Sequence, residues 1–149
     1  MIEVSDLKKS FEGTEVLKGI STVFEKGKTN LIIGQSGSGK TVFMKCLLGL
    51  ITPTSGTIRY EGRDYAELNI EEQRNLRQEM GMVFQGSALF DSKTVEGNVM
   101  FPLEMFTKQS REEMQERVDF VLERVNLVDA HKKYPSEISG GMQKRVAIA

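Results

Sequence analysis

"LIIGQSGSGKT", residues 31–41, is the stretch on which the fold turns. Gly34, Gly39, Lys40 and Thr41 satisfy G-x-x-x-x-G-K-[ST], the spacing of a phosphate-binding loop. Each residue type serves the chemistry. Glycines let the backbone turn its N–H groups inward with no Cβ in the way. A helix opening near Gly39 adds the positive end of its dipole. Lys40 brings a point charge to the β- and γ-phosphates of a nucleotide, and Thr41 offers a hydroxyl to Mg2+. Gln35, Ser36, Gly37 and Ser38 are the intervening positions of the cradle. The plain alternative is a Gly-rich turn between a strand and a helix. Four fixed positions at average composition match by chance in roughly one chain in a hundred or fewer. The apolar run before the loop and the apolar-faced helical pattern after it supply the required context, so the nucleotide reading is preferred.

Outward from the loop, "TNLIIG" (29–34) is a short continuous apolar run, expected to be a buried strand, and residues 39–50 switch to a helical pattern. "IEVSDL" (2–7) and "EVLKGISTVFEKG" (15–27) read as strands, the second ending in a turn at Lys26-Gly27. "PTSGTIRYEG" (53–62) has turn residues around a strand, "NIEEQRNLRQ" (69–78) is a polar helix, and "MGMVFQ" (80–85) is a second buried-strand candidate. "TVEGNVMFPLEMF" (94–106) is helical, with Pro102 expected to kink or end it. Ser110 and Glu113 fit a capping box. The helix they open carries an apolar stripe at Met114, Val118, Val121, Leu122, Val125 and Val128, which suits one buried face. Strands alternating with helices indicate an α/β fold, more helical from about residue 94 onward.

Composition narrows the function classes. The 149 residues suit one domain, and 20 basic against 21 acidic side chains give a net charge of −1. That balance argues against a broad nucleic-acid or anionic-membrane footprint, while leaving room for a local phosphate site. The single Cys46 cannot form an intramolecular disulfide or, by itself, a zinc site, and a reducing, cytoplasmic setting is expected. The N-terminus has no apolar signal-peptide core. The longest apolar stretch, "TVFMKCLLGLI" (41–51), is broken by Lys45 and falls short of the ~20 residues of a membrane span. No direct membrane insertion is expected.

The phosphate-binding loop alone does not choose among kinases, GTPases and transport ATPases. Three further features do. "SGGMQ" (139–143), with Ser139, Gly140, Gly141 and Gln143, resembles the signature motif of ATP-binding-cassette (ABC) ATPases. "MVFQ" (82–85) resembles their Q-loop, ending at Gln85. Phe11, 29 residues before Lys40, matches the aromatic position that stacks on adenine, and Val16 a neighbouring apolar contact. The resemblance implies an α/β fold with a P-loop NTPase (RecA-like) core, an N-terminal antiparallel β subdomain and a helical subdomain. The division would fall at about 1–92 and 93–149. It implies ATP and Mg2+ as ligands, with Thr41 and Gln85 near the metal and Lys40 and Gln85 serving catalysis. It also implies a homodimer that sandwiches ATP between one copy's loop and the other's signature. The expected partner is an integral membrane permease, which would hold the protein at the cytoplasmic face. More finely, "FQGSALFDSKTVEGNVMFPL" (84–103) and "ISGGMQKRVAIA" (138–149) resemble the ATPase subunits of bacterial Mce/Mla-type lipid-transport systems.

By that resemblance, a strand ending in Asp-Glu, an aspartate loop and a switch histidine should follow the signature. The chain is therefore expected to be an N-terminal part with an incomplete sheet, binding nucleotide at most, without the Glu that polarises the attacking water. "SALFD" (87–91) does not supply the missing pair, because Ser92 stands where the Glu should be and the run precedes the signature. His131 also precedes the signature and is expected at the surface with Lys132 and Lys133; Lys144 and Arg145 are read as solvated, and Cys46 as packed core. The alternatives are a soluble ABC ATPase of ribosomes or DNA repair and a non-hydrolytic nucleotide-binding module. A P-loop kinase or GTPase has no use for "SGGMQ".

Overall fold

Residues 1–149, all described by the computed structural model, form two compact units, Met1–Gly81 and Met82–Ala149. The fold is mixed α/β. The subdomain division at about residue 92 stays a motif-based proposal; by packing alone the chain parts after Gly81.

In the first unit, β1 (Ile2–Phe11) and β2 (Thr14–Phe24) form an antiparallel hairpin. Its turn residues Glu12 (φ 47°) and Gly13 (φ 82°) both have positive φ, as a tight hairpin turn matched to strand twist demands. β3 (Ser55–Tyr60) pairs with the other edge of β1 and carries the short β4 (Arg63–Asp64), giving the order β2-β1-β3-β4. Val4, Leu7, Leu17, Ile58 and Tyr60 project from the sheet into one core. Helix α1 (Lys40–Leu47) contributes Phe43, Cys46 and Leu47 to it, and α2 (Ile70–Gln78) contributes Leu76. Cys46 is core, as expected, and burial pushes its thiol pKa up. The Tyr60 hydroxyl, also buried, donates to the Leu47 carbonyl and so ties the sheet to the end of α1. Asn69 and Glu72 close a capping box at the start of α2, with bonds of 2.9 and 2.8 Å.

Two expected strands are not strands. Residues 29–34 and 80–84 take no regular secondary structure, Gln85 already belongs to a turn, and neither run joins a sheet. Leu31 and Ile33 are 85% and 81% exposed, and only Ile32 packs against the core. A buried parallel strand exists only between neighbours that satisfy both of its edges. The sheet present is wholly antiparallel and open, with no neighbour for either run.

The second unit is helical: α3 (Val95–Phe106), α4 (Arg111–Arg124) and α5 (Gly140–Ile148). Thr94 caps α3, and the Ser110–Glu113 capping box opens α4 as expected. Pro102 does not end α3, which runs on to Phe106. Val95, Val99 and Met100 before the proline and Leu103 after it pack into one core, which holds the helix together across the lost hydrogen bond. The α4 stripe is buried at Val118 and Leu122, with Met114, Val121 and Val125 against them. Val128 departs from it and is 56% exposed. The reason is local: Asn126 (φ 55°) ends the helical path, and Leu127, bonded back to the Leu122 carbonyl at 2.9 Å, takes the buried place.

Candidate nucleotide site

The loop between residues 34 and 39 is shaped by its own glycines and by β2. Gly37 (φ 80°) and Gly39 (φ 89°) hold conformations that L side chains avoid. A Cβ on Gly39 would lie 3.0 Å from Leu17 Cδ2 and 3.1 Å from Val16 Cγ1, so β2 presses directly on the turn. A Cβ on Gly34 would lie 2.8 Å from Ser38 Oγ, across the loop. At Gly37 the same position is open space.

Gly39 is the N-cap of α1, with no side-chain acceptor on the first-turn amides and no carboxylate among the first-turn residues. The first-turn donors and the positive end of the helix dipole therefore have no side-chain cap and no first-turn carboxylate. The Lys40 ammonium folds back and donates to the carbonyls of Gly34 at 2.8 Å and Gln35 at 2.7 Å. Uncapped amides, a cation and the exposed Thr41 hydroxyl form a donor set that fits a polyphosphate and its Mg2+. Beside the loop, Thr14, Val16, Lys18, Gly37 and Ser38 line an open groove of about 540 Å³. Phe11 stands at the hairpin end, paired with Thr14 and 42% exposed. The first unit thus sets Val16, Gly37 and Ser38 around one groove, with Phe11 at the end of the same hairpin.

In the second unit, Gln85 is exposed and begins a turn over residues 85–88. Ser139 caps α5, its Oγ accepting from the Met142 amide at 3.3 Å. Gly140 and Gly141 are exposed in the first turn, and a Cβ on Gly140 would meet nothing within 4 Å. Another molecule can reach that backbone unobstructed. Gln143 does structural work here: its amide donates to the Pro135 carbonyl at 2.8 Å and ties α5 to the 3-10 turn before it.

Some side chains do what their residue type did not announce. Arg145 is not a solvated charge; it donates to the carbonyls of Val125 and Asn126, both at 2.9 Å, at the C-terminal end of α4. Lys132 pairs with Glu96, and His131 Nε2 lies 3.1 Å from Asp119. Lys9, missed as a functional candidate, has its ammonium 4.9 Å from the Phe11 ring centroid. Its alternation with Phe11 along β1 was the available signal, since residues i and i+2 share a face.

Comparison with known proteins places these features in a family context. The chain matches the ABC transporter family over residues 17–149. It is 41% identical over 149 residues to the methionine import ATP-binding protein MetN of Clostridium tetani, covering 100% of this chain and 46% of that protein. It is 38% identical over 148 residues to the probable ribonucleotide transport ATP-binding protein mkl of Mycobacterium tuberculosis, covering 99% of this chain and 41% of that protein. The chain therefore spans less than half the length of these curated relatives. Among solved structures it superposes on dimeric MJ0796, a bacterial ABC transporter cassette, with TM-score 0.88 at 29% identity over 99% of this chain and 67% of that one. It also superposes on cbiO1 from Clostridium perfringens, part of the ABC transporter complex cbiONQ, with TM-score 0.84 at 30% identity over 99% of this chain and 59% of that one.

Proposed function

Because the chain belongs to the ABC transporter family, we propose that it carries the ATP-binding half-site of a transporter ATPase, which couples ATP binding and hydrolysis to movement of a cargo across a membrane. The observation that carries this is the uncapped start of α1, with Lys40 folded onto the carbonyls of Gly34 and Gln35.

The β- and γ-phosphates take the place of those carbonyls as partners of Lys40, and the loop amides from Gly34 to Thr41 surround them. Phe11 stacks on the adenine, and Val16 packs at its edge. Thr41 would offer its hydroxyl to Mg2+, which would neutralise charge on the phosphoryl oxygens; the resemblance of its motif supports a metal role for Gln85. Gln85 also positions the attacking water. In the transition state Lys40 stabilises the charge that builds on the γ-phosphoryl group. Hydrolysis is proposed for the whole protein; the chain spans less than half the length of these curated relatives.

The open backbone at Gly140 and Gly141 supports a second copy's ATP as the signature's ligand, with Ser139 capping the helix that presents it. The dimeric state of the MJ0796 cassette supports the same arrangement. No helix is long and apolar enough to cross a membrane. Membership of the ABC transporter family supports a transport role through an integral permease, with the ATPase peripheral on its cytoplasmic side. A soluble cassette of ribosomes or DNA repair gains no support from relatives named for import and transport.

Residues 84–103 and Met142 support a lipid cargo by their resemblance to lipid-transport ATPases. The relatives named for methionine import and ribonucleotide transport favour a polar cargo instead. Reconstitution with the copurifying membrane subunits, followed by uptake assays with labelled phospholipid, methionine and ribonucleotide, separates these. ATP turnover by the full reading frame and its Lys40→Ala variant tests the ATPase itself; equal rates would sink it.

A further inference from the structure

We propose that Lys9 is a positioning residue for the nucleobase: it sits behind the Phe11 ring and makes the opposite face a better platform for a purine. The proposal rests on the reading of Phe11 as the stacking aromatic.

Lys9 and Phe11 are two apart on β1, so both side chains leave the same face of the strand. The Lys9 ammonium lies 4.9 Å from the Phe11 ring centroid, within cation–π range. It is held there, because Nζ also donates to the Thr52 carbonyl at 2.8 Å. That carbonyl is itself a fixed post. Two residues on, the Thr54 amide donates to the Lys8 carbonyl at 2.8 Å, and Thr54 Oγ1 accepts from the Ser10 amide at 3.0 Å. The segment from Thr52 to Thr54 is thus pinned to β1 on both sides of Lys9.

An ammonium can cover only one face of a ring. Phe11 remains 42% exposed, and in this scheme the base lies on the ring face opposite the ammonium. Two physical effects follow. The cation draws π density toward itself, so the open face repels the electron-rich face of a purine less. The cation also restrains the ring at a hairpin end that would otherwise let it swing, so less freedom is lost when the base binds. Lys9 touches no phosphate in this scheme; it acts on the base through Phe11.

The test uses the protein from its full reading frame and equilibrium titrations with Mg-ADP and with Mg-pyrophosphate, which lacks the base. Lys9→Met should weaken ADP binding by about two- to fivefold and leave pyrophosphate binding unchanged. Lys9→Arg should retain ADP affinity, since a guanidinium also stacks on an aromatic face. In a Phe11→Ala background, Lys9→Met should have no further effect on ADP. Loss of pyrophosphate binding in Lys9→Met, or an undiminished effect in the Phe11→Ala background, would overturn the proposal. So would an unchanged ADP affinity in Lys9→Met when Phe11→Ala does weaken it. If Phe11→Ala itself leaves ADP binding intact, the stacking assignment of Phe11 is wrong and the role of Lys9 falls with it.

Discussion

The Lys40 ammonium lies 2.8 Å from the carbonyl oxygen of Gly34, donating to the residue that opens the loop it serves. The strongest donor of the loop is thus paired with the loop's own backbone carbonyls. A phosphate must offer Lys40 more than two neutral carbonyls do, and a polyanion does. On the proposed ATPase reading, Lys40→Ala should therefore cut ATP turnover by the whole protein by about a hundredfold or more. Two hydrogen bonds at an exposed loop contribute about 1 kcal/mol each at most, so the thermal midpoint of the ligand-free variant should change little. Steady-state turnover and a thermal melt on the same preparation check both halves.

Gly56 and Gly13 are both left-handed, at φ 89° and 82°, yet they should respond differently to a side chain. A Cβ on Gly56 would lie 2.4 Å from the Asp6 carbonyl oxygen and 2.6 Å from Leu7 Cα, at the irregular step where β3 meets β1. On Gly13 it would meet nothing within 4 Å. Gly13→Ala should cost about 1–2 kcal/mol, the price of the backbone conformation alone. Gly56→Ala adds a backbone collision and should cost about 3 kcal/mol or more. Urea unfolding measures the difference. Equal losses would mean that conformation, and not the approach of β1, requires glycine at position 56.

What could be read from the sequence was local. The capping boxes at Asn69–Glu72 and Ser110–Glu113 and the loop from Gly34 to Thr41 are each complete within a few residues. Their physics travels with the motif. Residues 29–34 and 80–85 failed as strands because apolar composition states a preference for burial, whereas a strand needs hydrogen-bonding neighbours that no local pattern contains. Arg145 and Gln143 were opaque for a related reason. Their partners, the carbonyls of Val125, Asn126 and Pro135, are backbone atoms exposed by helix ends and turns elsewhere in the chain. Residue type predicts a side chain's donors, but not which orphan carbonyl it will find.

The end of the α4 stripe gives a direct measure of where helical periodicity stops mattering. Leu122 is fully buried, while Val128 lies beyond Asn126 and is largely exposed. Leu122→Ala should destabilise the protein by about 2–5 kcal/mol. Val128→Ala should change stability by about 0.5 kcal/mol or less. Both are read from denaturant midpoints at unchanged slope. A large loss at Val128 would show that residue 128 is packed in solution and that the helical face extends past Asn126.

The N-terminal ammonium donates to Glu61 Oε1 at 2.7 Å, joining the start of β1 to the turn after β3. That hydrogen bond, and then the charge behind it, hold the Glu61 carboxyl below its usual pKa. A carboxylate depressed in the folded state stabilises the fold above its ordinary pKa. The contribution fades as pH falls through the lowered folded value, where the carboxyl becomes protonated. Acetylating the Met1 amine removes the cation and the donor together. Glu61 should then titrate closer to the ordinary glutamate range, which an NMR titration of its side-chain carboxyl carbon reads directly. The free and acetylated proteins should differ slightly in stability near neutral pH and converge in acid. An unchanged Glu61 titration after acetylation would place the cause in Lys26 and Arg63, whose charges also act on it.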